Sequence, residues 1–148
     1  MWKQKLADDQ KRFLDHGLRE HAKFQPGIVK LKKVLVKLGG SHLAVPPEPD
    51  SGLSLLIQCG FIMTGPVVLK LMEPGACHFN SSRLWVEKKH GVGGIGTGYA
   101  LSDDGIWRQH SWGVRREGLV ETTCLRENIL GCCIGGRWQT ASLWISIV

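Results

Sequence analysis

The segment from Gly96 to Thr123 constrains the fold more than any other part of the chain, because strand and turn signals alternate along it. Strand-like residues 97–101 and 106–114 are separated by Asp104-Gly105, a dipeptide typical of tight turns. A second turn at residues 115–118 precedes a third strand-like run. Three strands joined by two short connections predict an antiparallel meander.

The register of the second hairpin decides which side chains meet. With a turn at residues 115–118, Val114 pairs with Leu119, which places His110 diagonal to Glu121 on one face of the sheet. A shift by one residue would turn Glu121 to the other face. The sequence therefore predicts an imidazole oriented by a carboxylate.

A cysteine stands at the predicted start of a helix. Pro74-Gly75 predicts a turn, and residues 77–89 are compatible with a helix that carries cations at 88–90 and is capped by Gly91. A thiol at a helix N-terminus faces unpaired N–H groups and the positive end of the helix dipole, and both stabilise the thiolate. Cys77 is therefore the candidate nucleophile, and the alternative is an ordinary buried cysteine that fills the core.

Together these residues match the parts of a thiol-hydrolase triad. His110 would take the proton from the thiol of Cys77, and Glu121 would hold the imidazole ring and stabilise its charged form. Taken singly, His110 is better explained as a structural histidine bonded to a neighbour, and Glu121 as a solvent-facing strand residue. The catalytic hypothesis depends on the three side chains meeting.

Other residues are candidates for binding the substrate or the oxyanion. The backbone N–H of His78 lies in the first turn of the predicted helix, and the side-chain amides of Asn80 and Gln109 could supply a second donor. Trp112 follows His110 by two residues and could shield the ion pair from water. None of these roles has a specific motif behind it.

The order of a helix bearing cysteine, a strand bearing histidine and a strand bearing an acid resembles the papain-like cysteine hydrolase superfamily in the broad sense, which includes transglutaminase-like enzymes and bacterial cell-wall cysteine peptidases. The motifs Cys77-x-x-Asn80, Gly98-Tyr99, His110-x-Trp112 and Glu121-Thr122 also resemble small uncharacterised bacterial and phage proteins. The resemblance covers roughly residues 75–124. It implies a papain-like core, a thioester at the cysteine, a peptide or amide substrate and no cofactor.

The remainder of the chain predicts an α+β fold in one domain. Residues 1–40 form a helical N-terminal portion, with amphipathic helices over 2–24 and 28–38. Residues 53–148 form the α+β core, in which the helix bearing Cys77 packs on an antiparallel sheet. Proline-rich residues 41–52 form a loop between the two parts.

Three stretches of the core have weaker signals. Residues 53–63 are either a strand or a helix entering a strand, and residues 67–72 are strand-like. The glycine-rich residues 91–96 predict a flexible connector, because the order of elements is wrong for a dinucleotide-binding loop. Residues 124–148 have no clear assignment beyond a strand-like end.

A metal site is a second hypothesis. Five residues could cluster around zinc: Cys77, His78, His90, His110 and Cys124. Their spacing matches no regular zinc motif, so no metal is expected.

A binding module without catalysis is a third hypothesis. The formal net charge of +6 permits contacts with nucleic acid or with a protein through the basic N-terminal helices. A solvated face of packed helices explains the same lysines, and nucleic acid is not the favoured partner. Five cysteines without a C-x-x-C pair suit a reducing cytoplasm, and no run is long enough to span a membrane. The sequence does not indicate the oligomeric state.

Overall fold

The computed structural model describes residues 5–63, 65–126, 128–134 and 144–146. Within these residues the helices are α1 (Asp8–Ala22), α2 (Gly27–Leu38), α3 (Leu53–Cys59) and α4 (Cys77–Val86). The strands are β1 (His42–Ala44), β2 (Phe61–Met63), β3 (Val67–Leu69), β4 (Gly94–Leu101), β5 (Ile106–Arg115), β6 (Gly118–Glu121), β7 (Asn128–Ile134) and β8 (Trp144–Ser146). The protein has the α+β fold that the sequence predicts.

The strands form one mixed sheet in the order β3-β6-β5-β4-β7-β2-β8, with β1 beside β5. Most neighbours are antiparallel, whereas β1 with β5 and β3 with β6 are parallel. The predicted meander is β4-β5-β6, and its second hairpin has the predicted register, because Val114 pairs with Leu119. Both parallel pairings involve three-residue strands: β3 lies within the strand-like stretch 67–72 that the sequence predicts, whereas β1 lies within the predicted loop 41–52.

One edge of β5 carries two partners with a gap between them. β4 pairs with β5 from Trp107 to Val114, so any other partner of those residues lies on the opposite edge. On that edge β1 pairs with residues 106–108 and β6 with residues 113–115. In the described part of the chain, residues 109–112 have no strand partner there. The N-terminus of α4, which packs against β5, enters this gap.

Helices α2 and α3 cover one face of the sheet. The shared core comprises Ile28, Leu31, Leu35, Leu53 and Leu56 from the helical side and Tyr99, Leu101, Trp107 and Leu130 from the strands. Each large apolar side chain buried in this way contributes about 1.5–3 kcal/mol. Trp107 Nε1 donates to the Gly39 carbonyl at 2.8 Å, which satisfies a buried indole N–H. The N-terminal helical portion therefore packs directly onto the sheet.

Trp112 packs on the opposite face, where glycines make room for its ring. A Cβ on Gly96 would lie 2.0 Å from Trp112 Nε1, and one on Gly131 would lie 2.5 Å from the indole. Trp112 Nε1 also points at Met63 Sδ at 2.7 Å. The predicted connector at residues 91–96 is wrong for residues 94–96, because they begin β4, and glycine is needed there to admit the indole.

The helix that bears Cys77 ends earlier than the sequence predicts. α4 ends at Val86, Lys88 has a left-handed φ of 52°, and a short 3-10 turn spans Lys89–Gly91. The cations expected in the last helical turn therefore lie beyond it. Val92 packs against Leu84 in the core, and this contact turns the chain back towards the sheet.

The structure also assigns secondary structure to the stretches whose sequence signals are weak. Residues 53–63 form a helix followed by a strand, which is one of the two predicted alternatives, and the predicted loop 41–52 contains the short strand β1. Beyond residue 124, β7 and β8 extend the sheet, while Gly135-Gly136 lie outside the described residues. No described helix combines the length and the apolar character that crossing a membrane requires.

Candidate active site

Cys77 is the first residue of α4 and lies in the gap along β5. Gly75, with a φ of 74°, supplies the left-handed residue of the preceding turn, a conformation that favours glycine. The backbone N–H groups of Ser111 and His78 bond the sulfur. The side chain is half-buried, so the thiol is fixed at the sheet edge and still accessible.

His110 and Glu121 form a buried pair. His110 Nε2 lies 3.0 Å from Glu121 Oε1 and 2.8 Å from Oε2, and the two side chains are 2% and 0% exposed. The carboxylate accepts the Nε2 proton, which leaves Nδ1 as the ring nitrogen that can face the thiol. The thiol of Cys77 is hydrogen-bonded to His110. The structure thus brings the three predicted catalytic residues into one chain of contacts.

The surroundings of the sulfur favour the thiolate. Burial by itself would raise the pKa of Cys77, but the hydrogen bond and positive charge of His110 act in the opposite direction. The backbone N–H groups of Ser111 and His78 add to this effect, and the pKa of Cys77 falls below the usual value for a thiol.

The surroundings of the imidazole favour its charged form. Burial lowers the pKa of His110, yet the hydrogen bonds to Cys77 and Glu121, together with the charge of Glu121, raise it above the usual value. Arg126 opposes this rise through its positive charge. The two shifts act together towards a thiolate–imidazolium pair.

Asn80 is a buried residue whose side chain links two loops near Cys77. Its Nδ2 donates to the Glu73 carbonyl at 2.9 Å and to Thr122 Oγ1 at 3.3 Å. Both amide hydrogens are therefore used, and none is left for an oxyanion. The bonds join the turn before Cys77 to the residue after Glu121.

The other candidates differ in what they can offer. The His78 ring lies 3.2 Å from Ser111 Oγ, so its contribution at the nucleophile is its backbone N–H. Gln109 is exposed at the open edge of β5 and makes no side-chain hydrogen bond among the described residues. Trp112 is fully buried, with its ring centroid 6.0 Å from that of His110.

Sequence reasoning missed Ser111 and Thr122. Ser111 acts through its backbone N–H, a group that no side-chain motif reveals, and its role depends on the strand gap. Thr122 accepts the Asn80 hydrogen bond and follows Glu121 directly. Only the acid-Thr motif pointed towards it.

The predicted zinc alternative does not form among the described residues. No group of three or more His, Cys, Asp or Glu side chains there is placed to hold a metal ion. His90 and Cys124 are exposed, and His78 faces Ser111.

The basic surface is concentrated on α2. Its apolar residues face the core, while Lys30, Lys33 and Lys37 are exposed and have no carboxylate partner in the part of the chain that the structure describes. Such a row is the ordinary solvated face of an amphipathic helix. Binding to a polyanion through these lysines would weaken steeply with added salt.

Comparisons with models of protein families, with curated proteins and with solved structures found no match. Functional conclusions therefore rest on the geometry of this chain.

Proposed function

We propose that this protein is a cysteine-dependent hydrolase or acyltransferase that acts on peptide or amide bonds through a thioester at Cys77. One observation carries the proposal: a half-buried thiol at a helix start contacts an imidazole, and a buried carboxylate holds that imidazole. The order of nucleophile, base and acid also resembles the papain-like superfamily. A reducing compartment such as the cytoplasm would keep the thiol available.

In the first half of the proposed reaction, the Cys77 thiolate attacks the carbonyl carbon and the carbonyl π electrons move to oxygen. When the tetrahedral intermediate collapses, the C–N bond breaks and imidazolium His110 gives its proton to the leaving amine. The product is a thioester. Glu121 keeps the ring oriented and stabilises its positive charge until that transfer.

In the second half, His110 takes a proton from water or from an acceptor amine as that group attacks the thioester. The C–S bond breaks, and the proton on His110 returns to the departing thiolate or remains as imidazolium beside it. Water gives hydrolysis and an amine gives acyl transfer. The triad serves both outcomes, so the accessible nucleophile decides between them.

Backbone and side-chain donors can stabilise the oxyanion. The N–H of Cys77 belongs to the first turn of α4, whose N–H groups have no acceptor within the helix. Gln109 is the remaining side-chain candidate, because its amide is exposed and unengaged whereas that of Asn80 is used.

The decisive test is the rate at which iodoacetamide alkylates Cys77 between about pH 4 and pH 10, read by mass spectrometry of the labelled peptide. We expect the rate to stay high well below the pKa of an ordinary thiol, about 8.5. His110→Ala should remove this reactivity at low pH, while His16→Ala, which changes an exposed histidine of α1, should not.

A Cys77 rate that titrates as in a free thiol, or that is indifferent to His110→Ala, would contradict the proposed function. Cys132 provides an internal reference, because burial and the neighbouring Cys59 thiol raise its pKa to about 11. It should therefore react slowly throughout the neutral range.

A further inference from the structure

The helical cover over the sheet is incomplete at Thr97 of β4, one strand away from the residue that bonds the Cys77 sulfur. β4 is flanked by β5 and β7, and every one of its residues is buried except Thr97. Thr97 pairs with Ser111 on one side and with Cys132, also partly exposed, on the other. These three residues form one row across the sheet, in which Ser111 is buried and Thr97 and Cys132 are half-buried.

This row shares a face with the helices. Side chains two residues apart on a strand share a face, so the row lies on the same face as Tyr99 and Trp107, which α2 and α3 cover. Gly113 is on that face too, and a Cβ added there would lie 2.8 Å from Val92, which packs with Leu84 of α4. The row therefore lies between two covered regions, and no element of the described chain covers Thr97 fully.

The row is continuous with the active site at one end. The Ser111 backbone N–H bonds the sulfur of Cys77, and Ser111 Oγ lies 3.2 Å from the His78 ring and 3.3 Å from Thr97 Oγ1. At the other end, the Cys132 thiol contacts Cys59 at the end of α3, with Cys132 Sγ 3.9 Å from the Cys59 carbonyl. The His78 ring and the Cys59 thiol thus flank the row at its two ends.

Resting on the proposed function, we propose that this row is the floor of a substrate groove that binds an extended, uncharged peptide segment beside the scissile carbonyl. The floor offers hydroxyl and thiol groups and no charge, which suits neutral peptide groups. Neighbouring strands lie about 4.8 Å apart, so the span from β5 to β7 is about 10 Å, or about three extended residues. Gln109, the unengaged oxyanion donor, lies on the same face.

The test compares two electrophiles that both alkylate Cys77. One is acetyl-Ala-Ser-Ala chloromethyl ketone, an uncharged tripeptide whose chloride is displaced by the thiolate, and the other is iodoacetamide, which is too small to need the groove. In the unchanged protein, the ratio of the tripeptide rate to the iodoacetamide rate should exceed that of glutathione by at least about tenfold.

Thr97→Phe should fill the groove and reduce this ratio by about tenfold while the iodoacetamide rate stays unchanged. Leu69→Phe, an exposed position on the edge strand β3, is the matched control and should leave the ratio alone. If Thr97→Phe also lowers the iodoacetamide rate, that variant disturbs the fold and a second variant is needed. Cys132→Leu then fills the groove instead, with Cys132→Ser as its control.

The groove proposal would be refuted by a tripeptide-to-iodoacetamide rate ratio equal to that of glutathione. It would also be refuted by a ratio that neither Thr97→Phe nor Cys132→Leu changes. Failure of the proposed function is separate, because it would show as a loss of His110 dependence with iodoacetamide alone.

Discussion

At the scale of single residues, the buried pair between His110 and Glu121 links a carboxylate to the thiol of Cys77. Glu121 is fully buried and bonds His110 through both carboxylate oxygens. The pKa of Cys77 is lowered by His110, and the pKa of His110 is raised in part by Glu121. The carboxylate therefore acts on a sulfur that it does not touch.

Glu121→Gln should lower the reactivity of Cys77 near pH 6 and leave it nearly unchanged near about pH 9. The substitution removes the charge that raises the pKa of His110, so the imidazolium is lost at lower pH and the pKa of Cys77 rises. At high pH the thiol ionises without help. Iodoacetamide rates test this, with the exposed Glu117→Gln as control. Equal profiles for the two variants would show that the carboxylate has no such role.

Asn80→Ala should destabilise the protein by about 1–3 kcal/mol, because the Glu73 carbonyl and Thr122 Oγ1 lose a buried donor. Chemical denaturation measures this. Ser82→Ala removes only a partly exposed hydrogen bond to the His78 carbonyl and should change stability by less than about 0.5 kcal/mol. A stable Asn80→Ala protein with unchanged Cys77 reactivity would mean that the two loops are held by other contacts.

At the scale of elements, glycines in β4 and β7 set the position of the strand that carries His110. The indole of Trp112 fills the space over Gly96 and Gly131, and Trp112 is two residues from His110. Displacing this ring would move β5 relative to its neighbours. The strand that carries His110 is therefore held from the face opposite α2 and α3.

Gly96→Ala should destabilise the protein by about 1–3 kcal/mol or more, because the new methyl would lie 2.0 Å from Trp112 Nε1. Gly17→Ala is the matched control in α1, where the nearest atom lies at 3.6 Å and alanine favours the helix. We expect the control to stabilise by up to about 1 kcal/mol. Thermal unfolding, monitored by circular dichroism, compares the two variants. An equal change in stability at both sites would refute the prediction that the indole of Trp112 requires glycine at position 96.

At the scale of the whole molecule, the N-terminal helices and the sheet share one core. Leu31 of α2 is 1% exposed and belongs to the same cluster as Tyr99 and Trp107. The helical portion and the sheet should therefore unfold together rather than in sequence.

Leu31→Ala should cost about 2–5 kcal/mol and lower stability for the whole chain. We expect helix content and protection of Cys132 from alkylation to be lost at the same denaturant concentration. The exposed Val29→Ala is the control on the same helix. Separate transitions for the two probes would show two independently folding parts.

Local sequence signals were enough to predict most of the helices and strands and the pairing of the last hairpin. Turn residues at 102–105 and 115–118 set strand lengths and register, so His110 and Glu121 fall on one face by backbone geometry alone. The amphipathic pattern of residues 28–38 likewise fixed α2, because its apolar stripe repeats with helical period.

Contacts between segments distant in sequence could not be predicted from local signals. Cys77 reaches His110 because β1 and β6 leave a gap along β5, and no local pattern encodes that gap. Asn80 is engaged by Glu73 and Thr122, and residues 94–96 form a strand because they pair with β5, while the absence of a side chain on Gly96 leaves room for the indole of Trp112. In each case the cause is packing between segments that are distant in sequence. Hydrophobic periodicity and turn residues predict only local structure, so they do not reveal such contacts.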